Sequence, residues 1–300
     1  MELLRTPDDR FEALPDWPFV PKYVTIDADG SPLRIHYVDE GPAEGPAVLL
    51  MHGEPSWGYL YRFMIPLLVD AGCRVIVPDL PGFGRSDKPT DRSDFGYDRL
   101  VNWMDTALMS ELDLADVTLF CQDWGGLIGL RLVAAHPTRF RAVMAANTGL
   151  PLGNTEPPQA FLDWQQFSQS VPEFPTAMII QGATERELSP AELAAYDAPF
   201  PDETFKAGAR ILPTLVPTNV DDPARESQVT AWESLAAYSN PFVTAFSDRD
   251  PITKGGQVVF QRKVAGAQGI DHPTITGAGH FLQEDEPAQI CDHLIELVHR

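Results

Sequence analysis

The chain has 300 residues, 44% of them hydrophobic, which is enough to bury a sizeable core in one large domain or two small ones. A formal net charge of −21 disfavours binding to nucleic acids and to anionic membrane surfaces. Cys73, Cys121 and Cys291 are too scattered for a disulfide framework or a metal cluster, so we expect buried free thiols. No apolar run reaches about 18 residues and the start MELLRTPDDR lacks a secretion pattern, so we expect a cytoplasmic protein.

The first part of the chain predicts strands that alternate with helices. Strand character falls in five runs between residues 23 and 123, namely YVTI, LRIHYV, AVLLMH, RVIVPDL and VTLFCQD. The later runs are continuously apolar, as in strands buried on both faces of a parallel sheet. Residues 59–71 and 99–114 have helical length and periodicity. This alternation is typical of an α/β fold.

The alternation stops after RAVMAANTG (141–149). Residues 150–220 are rich in Pro, Gln, Glu and Ala, with helical stretches at AFLDWQQF and SPAELAAY. Strand patterns resume at PFVTAF (241–246) and HPTIT (272–276), and an amphipathic helix follows at 287–299. We therefore expect one core, formed by 1–149 and 221–300, with a helical cap inserted at 150–220.

The segment VTLFCQDWGGLIGLRLVAAHP predicts a strand, a sharp turn at Asp123 and an apolar helix that begins near Leu127. Such a turn needs small residues two positions before and after its centre, and Cys121 and Gly125 meet this need. A lone Asp before a helix is most often an ordinary N-cap, which is the alternative interpretation. The pattern indicates a nucleophile elbow with a carboxylate in place of the usual serine.

Two backbone N–H groups are predicted to bind an oxyanion formed at Asp123. One belongs to Trp124, at the positive end of the following helix. The other belongs to Glu54, because the sequence HGEP (52–55) follows the strand AVLLM, where a fold with this elbow places its second donor. A plain turn explains HGEP equally well when it is considered alone.

An acid and a base follow the elbow in chain order. Asp248 and Asp250 come at the end of the strand PFVTAF, and His280 lies in a Gly-rich loop after the last strand. Nucleophile, acid and base in this order form the triad of α/β-hydrolases. We expect Asp250 to orient His280, because Ser247 occupies the small turn position and the acid falls three residues later. Asp248 is then a solvated turn residue.

A carboxylate nucleophile predicts a reaction at an sp3 carbon, since it can form an alkyl ester with itself, whereas a serine would give an inert ether. Water can open the ester with His280 as general base. The leaving group needs stabilisation, and the indole N–H of Trp124 is an uncharged donor suited to a weakly hydrated anion. Trp164 in the cap is a candidate second donor, although ordinary aromatic packing explains it too.

Four segments together resemble haloalkane dehalogenases over nearly the whole chain, namely HGEPSWGYLYR (52–62), PDLPGFGRSDKP (78–89), CQDWGGLIGLR (121–131) and YDAPFPDETFKAGAR (196–210). The second segment is shared with epoxide hydrolases and other relatives that use an Asp nucleophile. The resemblance implies an α/β-hydrolase fold, with a mostly parallel eight-stranded sheet flanked by helices and an inserted helical cap.

The Glu of HGEP and a tryptophan early in the cap resemble the subgroup with an Asp-His-Asp triad and two halide-binding tryptophans. The implied roles are nucleophile for Asp123, base for His280, partner of the base for Asp250, and halide ligands for Trp124 and Trp164. The resemblance alone also implies that Phe161 and Pro213 form part of the pocket wall. The predicted reaction converts a small haloalkane and water into alcohol, halide and a proton, with no cofactor and no metal, in a monomer.

Three alternatives remain. An epoxide hydrolase would need cap tyrosines to protonate the ring oxygen, for which Tyr196 and Tyr238 are the candidates. A fluoroacetate-type dehalogenase would need cationic residues after the nucleophile, and the sequence WGG offers none. An inactive hydrolase fold that serves as a binding protein would not need the intact triad.

Overall fold

The structure is a computed structural model that describes residues 1–300. Its strands are β1 (Leu3–Leu4), β2 (Lys22–Ala28), β3 (Ser31–Glu40), β4 (Ala47–Met51), β5 (Arg74–Pro78), β6 (Lys88–Pro89), β7 (Val117–Gln122), β8 (Phe140–Ala146), β9 (Phe242–Thr244), β10 (Phe246–Ser247) and β11 (Thr274–Ile275). Seven of them form the central sheet in the order β2-β3-β5-β4-β7-β8-β9. Strands β5, β4, β7, β8 and β9 are parallel neighbours, and β3 is antiparallel to both β2 and β5. The predicted α/β fold with a mostly parallel sheet is confirmed.

The prediction of eight strands in one sheet was wrong in this detail. The last strand, β11, pairs only with β10, in a separate two-stranded parallel ladder. Beside β9, the Thr244 N–H donates to the ring Nδ1 of His272 at 3.1 Å instead of to a backbone carbonyl. Pro273 follows and has no N–H to give. The ladder therefore begins only at Thr274.

The α-helices are α1 (Met64–Asp70), α2 (Tyr97–Asp105), α3 (Trp124–Ala135), α4 (Gln159–Ser170), α5 (Thr176–Gly182), α6 (Pro190–Asp197), α7 (Ala207–Ile211), α8 (Arg225–Ala237), α9 (Gln257–Lys263), α10 (Leu282–Asp285) and α11 (Pro287–Val298). A π-helical segment, Thr106–Glu111, continues α2. Helices α2 and α8 pack against α3, and α1 packs against α11. None of the helices combines the length and apolarity needed to cross a bilayer.

The central strands place the site. Every residue of β7 is buried, as expected for an inner strand of a parallel sheet. Strand β4 pairs with β5 on one side and β7 on the other, so the strand order reverses there. Ligands of open α/β sheets bind at the carboxyl ends of strands at such a switch point. The loops after β4 and β7, which carry HGEP and Asp123, meet at this point.

Residues 150–220, the predicted cap, hold α4 to α7. The two predicted helical stretches correspond to α4 and α6. Helix α6 begins at a capping box, in which the Ser189 side chain accepts the Glu192 N–H and the Glu192 carboxylate accepts the Ser189 N–H. Helices α5 and α7 in the cap, and α8, α9 and α10 after it, were not predicted.

Candidate active site

Asp123 lies at a sharp turn between β7 and α3, with φ 51° and ψ −123°. A non-glycine residue in this region is strained and is held there by its surroundings. The surroundings are tight: a Cβ atom on Gly125 would lie 2.0 Å from Met51 O, and one on Gly53 would lie 2.4 Å from Asp123 Cβ. Small residues at these positions therefore allow the elbow to form.

The Asp123 side chain does not cap α3. Its Oδ1 instead accepts the Glu54 N–H at 2.8 Å. The helix N-terminus is satisfied by the Asp123 carbonyl, which accepts the N–H groups of Gly126 and Leu127 at 2.9 and 3.0 Å. The N-cap interpretation thus fails on geometry. Of the two predicted oxyanion donors, the Glu54 N–H contacts the carboxylate directly. The Trp124 N–H belongs to the first residue of α3, which follows Asp123 in the chain.

His280 lies between two carboxylates. Its Nδ1 is 3.0 Å from Asp250 Oδ2, and its Nε2 is 3.6 Å from Asp123 Oδ2. Asp250 is buried and also accepts the Ile252 N–H at 2.9 Å and the Thr253 hydroxyl. Asp248, the other acid considered, is exposed and accepts the Gly277 N–H at 2.9 Å. The structure therefore brings together the acid, the base and the elbow carboxylate chosen from the sequence.

The two partners shift each other's protonation. Burial lowers the pKa of His280, but the carboxylates of Asp250 and Asp123 outweigh it and raise this pKa to about 10. Burial raises the pKa of Asp250, but the charge of His280 and the hydrogen bonds from Thr253 and Ile252 lower it to about 2. His280 is thus a cation while Asp123 is charged, and loss of the Asp123 charge would make it easier to deprotonate.

The Glu54 side chain lies in an environment that disfavours its charged form. It is buried, and its Oε1 has no hydrogen-bond partner. Burial and the nearby Asp123 raise its pKa well above the ordinary value of a glutamate. Asp123 and Glu54 therefore lie side by side in the cavity wall, and the third carboxyl group there, that of Glu156, is exposed.

A cavity of about 780 Å³ lies above the elbow. Seven of the eight residues proposed from the sequence line it, namely Glu54, Asp123, Trp124, Phe161, Trp164, Pro213 and His280. The eighth, Asp250, lies behind the His280 ring. The Asp123 side chain is 22% exposed, which leaves it accessible from the cavity.

Trp124 and Trp164 each present an unpaired donor. The indole N–H groups of Trp57 and Trp232 donate to Ala195 O and Leu150 O, whereas those of Trp124 and Trp164 donate to no atom of the chain. Trp164 also packs edge-on against Phe174, with ring centroids 5.9 Å apart. It therefore both takes part in aromatic packing and lines the cavity. Two uncharged donors on apolar rings therefore face one cavity with Asp123.

The two tyrosines considered for epoxide chemistry lie elsewhere. Tyr196 is fully buried and donates to Glu284, and Tyr238 donates to Phe140 O at 3.0 Å. Neither lines the cavity, and no other tyrosine does. The lysines in the cavity wall are Lys254 and Lys263, and both are exposed.

Two buried polar residues that contact the His280 loop were not predicted from the sequence. Gln122 Nε2 lies 3.2 Å from His280 O, and Asn147 Nδ2 lies 3.0 Å from the same carbonyl. Asn147 also accepts the Ser247 N–H at 2.9 Å, so it ties the loop of the acid to the loop of the base. The available signal was a polar residue at the carboxyl end of an apolar strand: Gln122 is the last residue of β7, and Asn147 directly follows β8.

A buried ionic cluster joins the cap to the core behind the His280 loop. Arg62 is bonded to Glu192 of α6 at 2.8 Å and to Glu284 of α10, which also accepts the Tyr196 hydroxyl. Arg186 reaches the same two carboxylates. The cluster therefore connects α6 with the helix that begins two residues after His280.

Comparison with known proteins places the chain in a family. A family profile described as alpha/beta hydrolase fold matches residues 46–287. A haloalkane dehalogenase of Psychrobacter cryohalolentis is 54% identical over 300 residues, which cover 100% of this chain and 99% of that protein. A haloalkane dehalogenase of Mycolicibacterium paratuberculosis is 47% identical over 296 residues, 98% of each protein.

Among solved structures, the tetrameric haloalkane dehalogenase DpaA of Paraglaciecola agarilytica has a TM-score of 0.89 and 34% identity. The match covers 100% of this chain and 97% of that one. The tetramer is a property of that relative, and a monomer stays a prediction for this chain. With relatives at 47% and 54% identity over nearly its full length, the chain belongs to the haloalkane dehalogenase family, hydrolases of carbon–halide bonds built on the α/β-hydrolase fold.

Proposed function

We propose that this protein hydrolyses small haloalkanes through a covalent alkyl ester on Asp123, with the Asp-His-Asp triad and the two halide-binding tryptophans of one subgroup of the family. The observation that carries the proposal is the cavity itself. It holds the carboxylate of Asp123 at a strained elbow, a histidine 3.6 Å from that carboxylate and two unpaired indole donors.

In the first step the two oxygens of Asp123 have different tasks. Oδ1 already accepts the Glu54 N–H, so it becomes the carbonyl oxygen of the ester. Oδ2 attacks the sp3 carbon, a C–O bond forms, and the C–X bond breaks with its electron pair on the halide. His280, a cation at this stage, takes no proton in this step.

The departing halide needs hydrogen-bond donors that stabilise it but bind it weakly enough for it to leave the cavity afterwards. The indole N–H groups of Trp124 and Trp164 are such donors, uncharged and carried on apolar rings that exclude water. Phe161, one turn before Trp164 on α4, and Pro213 extend the apolar wall around the halide.

Once Asp123 has become an uncharged ester, His280 releases its proton to solvent and becomes neutral. In the second step, water attacks the carbonyl carbon of the ester and gives one proton to His280 Nε2. The oxyanion on Oδ1 is stabilised by the N–H groups of Glu54 and Trp124. When the tetrahedral intermediate collapses, the alcohol leaves with the proton held by His280. The carboxyl group of Asp123 then gives the remaining water proton to His280, which restores the charged carboxylate and the cation, so that one proton in all is released per turnover.

Epoxide hydrolysis with the same nucleophile is the alternative, and nothing in the cavity favours it. It would require an acid beside the ring oxygen, and no tyrosine lines the cavity. Of the two glutamates there, Glu156 is exposed, and Glu54 lies on the side of Asp123 that binds the oxyanion.

The test is a comparison of substrates with the purified protein. We expect bromide, a proton and 1-butanol in equal amounts from 1-bromobutane, and no diol from styrene oxide. Diol from styrene oxide without bromide from 1-bromobutane would contradict the proposal. An Asp123→Asn variant, which keeps the shape of the residue, is the control and should release no halide.

A further inference from the structure

Gln122 is the last residue of β7, directly before Asp123, and its side chain is fully buried. Its Nε2 lies 3.1 Å from His280 Nε2 and 3.2 Å from His280 O. Its Oε1 is buried without a partner. The amide therefore contacts the ring nitrogen at which the proposed proton transfer takes place.

The carbonyl of His280 decides the orientation of this amide. A backbone carbonyl only accepts, so the NH2 group, and not Oε1, must face it. The same NH2 group then directs its second hydrogen at His280 Nε2. For this contact to be a hydrogen bond, Nε2 must offer a lone pair, which requires the neutral ring with its proton on Nδ1, donated to Asp250.

The charged neighbours of His280 favour the opposite state. The titratable groups that face the ring are Asp250, Asp123 and Glu54, and burial raises the pKa of Glu54 well above its ordinary value. The carboxylates of Asp250 and Asp123 favour the imidazolium. Its Nε2–H would lie near both Asp123 Oδ2, 3.6 Å from Nε2, and the Gln122 amide nitrogen, 3.1 Å from Nε2. The N–H donors of the imidazolium and of Gln122 would then face each other, so Gln122 disfavours the cation that the two carboxylates stabilise.

We propose that Gln122 is a positioning residue that selects the neutral, Nδ1-protonated form of His280 for ester hydrolysis. The inference rests on the proposed function, in which Asp123 becomes an uncharged ester before His280 acts. At that stage Asp250 alone favours the cation, and the hydrogen bond from Gln122 shifts His280 toward its neutral form, which can accept a proton. A general base works best with a pKa near the operating pH, which this contact brings about.

The test measures the protonation of His280 without requiring turnover. Asp123→Asn removes the charge as the ester does, and the His280 ring nitrogens are followed by 15N NMR across pH. We expect the Nδ1-protonated tautomer in Asp123→Asn, and a pKa higher by about one unit once Gln122→Met is added, since a hydrogen bond to the neutral form is lost. Adding Thr118→Val instead, which removes another unpartnered buried polar atom of β7, should leave this pKa unchanged.

An unchanged or lower His280 pKa on addition of Gln122→Met would overturn the inference. An Nε2-protonated tautomer in Asp123→Asn alone would also overturn it, and this second measurement does not require the double variant to fold. In the active chain, Gln122→Met should move the acid limb of ester hydrolysis up by the same shift, with the alkylation rate kept within about twofold. A uniform loss of both rates without a shift would mean a merely structural role. Absence of bromide release by the unaltered protein would refute the proposed function and leave the NMR result standing.

Discussion

The Glu54 N–H donates to Asp123 Oδ1 at 2.8 Å, although the two residues are 69 positions apart in the chain. The bond forms because β4 and β7 are parallel neighbours and Met51 pairs with Cys121 near their carboxyl ends. It makes the two oxygens of Asp123 inequivalent. Oδ1 is held by the backbone, and Oδ2 faces His280 at 3.6 Å.

His280→Phe should trap the ester. Phenylalanine fills the ring position beside Phe281 but accepts no proton, so Asp123 is alkylated and water cannot open the ester. We expect one equivalent of bromide per enzyme from 1-bromobutane and an intact mass increased by one butyl group in place of a proton. Peptide mapping should locate the group at Asp123. His299→Phe, at the exposed end of the chain, should turn over without an adduct.

Trp164→Phe should weaken halide binding. The substitution keeps the aromatic packing on Phe174 and removes one N–H donor from the cavity. Hydrogen bonds to charged groups contribute about 1.5–3 kcal/mol, so the Kd for bromide should rise at least about tenfold. Titration of the remaining tryptophan fluorescence measures it. Trp103→Phe, buried on α2 outside the cavity, is the control, and equal affinities of the two variants would place the second donor elsewhere.

Asp250 should make the free energy of unfolding depend on pH in the acid range. Its pKa is about 2 in the folded protein against an ordinary 3.8, so its contribution is fully present above pH 4 and is lost as pH falls through 2. A shift of this size corresponds to about 2 kcal/mol. Urea unfolding between pH 5 and pH 2 should show this loss for the unaltered protein and a smaller one for Asp250→Asn. Parallel curves would contradict the assignment.

Glu284→Gln should destabilise the protein strongly. It leaves Arg62, which is fully buried, with Glu192 as its remaining carboxylate. Removing one partner of a buried ion pair costs about 3–5 kcal/mol, whereas an exposed pair contributes about 0.3–0.5 kcal/mol. Glu296→Gln, which breaks the exposed pair with Arg300, is the matched control. Similar unfolding free energies for both variants would show that the cluster does not join cap and core.

Local patterns carried most of what could be predicted. The elbow at Asp123 is encoded within a few residues, by an apolar strand, small neighbours and an apolar helix. The acid and the base could be placed because the triad fixes their order along the chain and each follows a strand. The fold class followed from the same alternation.

Contacts between distant segments could not be predicted in this way. Gln122 and Asn147 reach the His280 loop across more than a hundred positions, and nothing in their own segments indicates that partner. The missing eighth strand depends on the His272 side chain occupying the Thr244 N–H. Helices α5, α7 and α8 are short or polar on several sides, so their periodicity is weak and packing determines them.

The most direct test of the ester on Asp123 is one turnover in water labelled with 18O. Excess enzyme is mixed with 1-bromobutane, and the first alcohol and the Asp123 peptide are analysed by mass spectrometry. The two-step reaction predicts unlabelled 1-butanol, whose oxygen comes from Asp123 Oδ2, and one 18O atom in the Asp123 carboxylate. Labelled 1-butanol in this first turnover, with an unlabelled carboxylate, would mean that water attacks the haloalkane directly and would contradict the account.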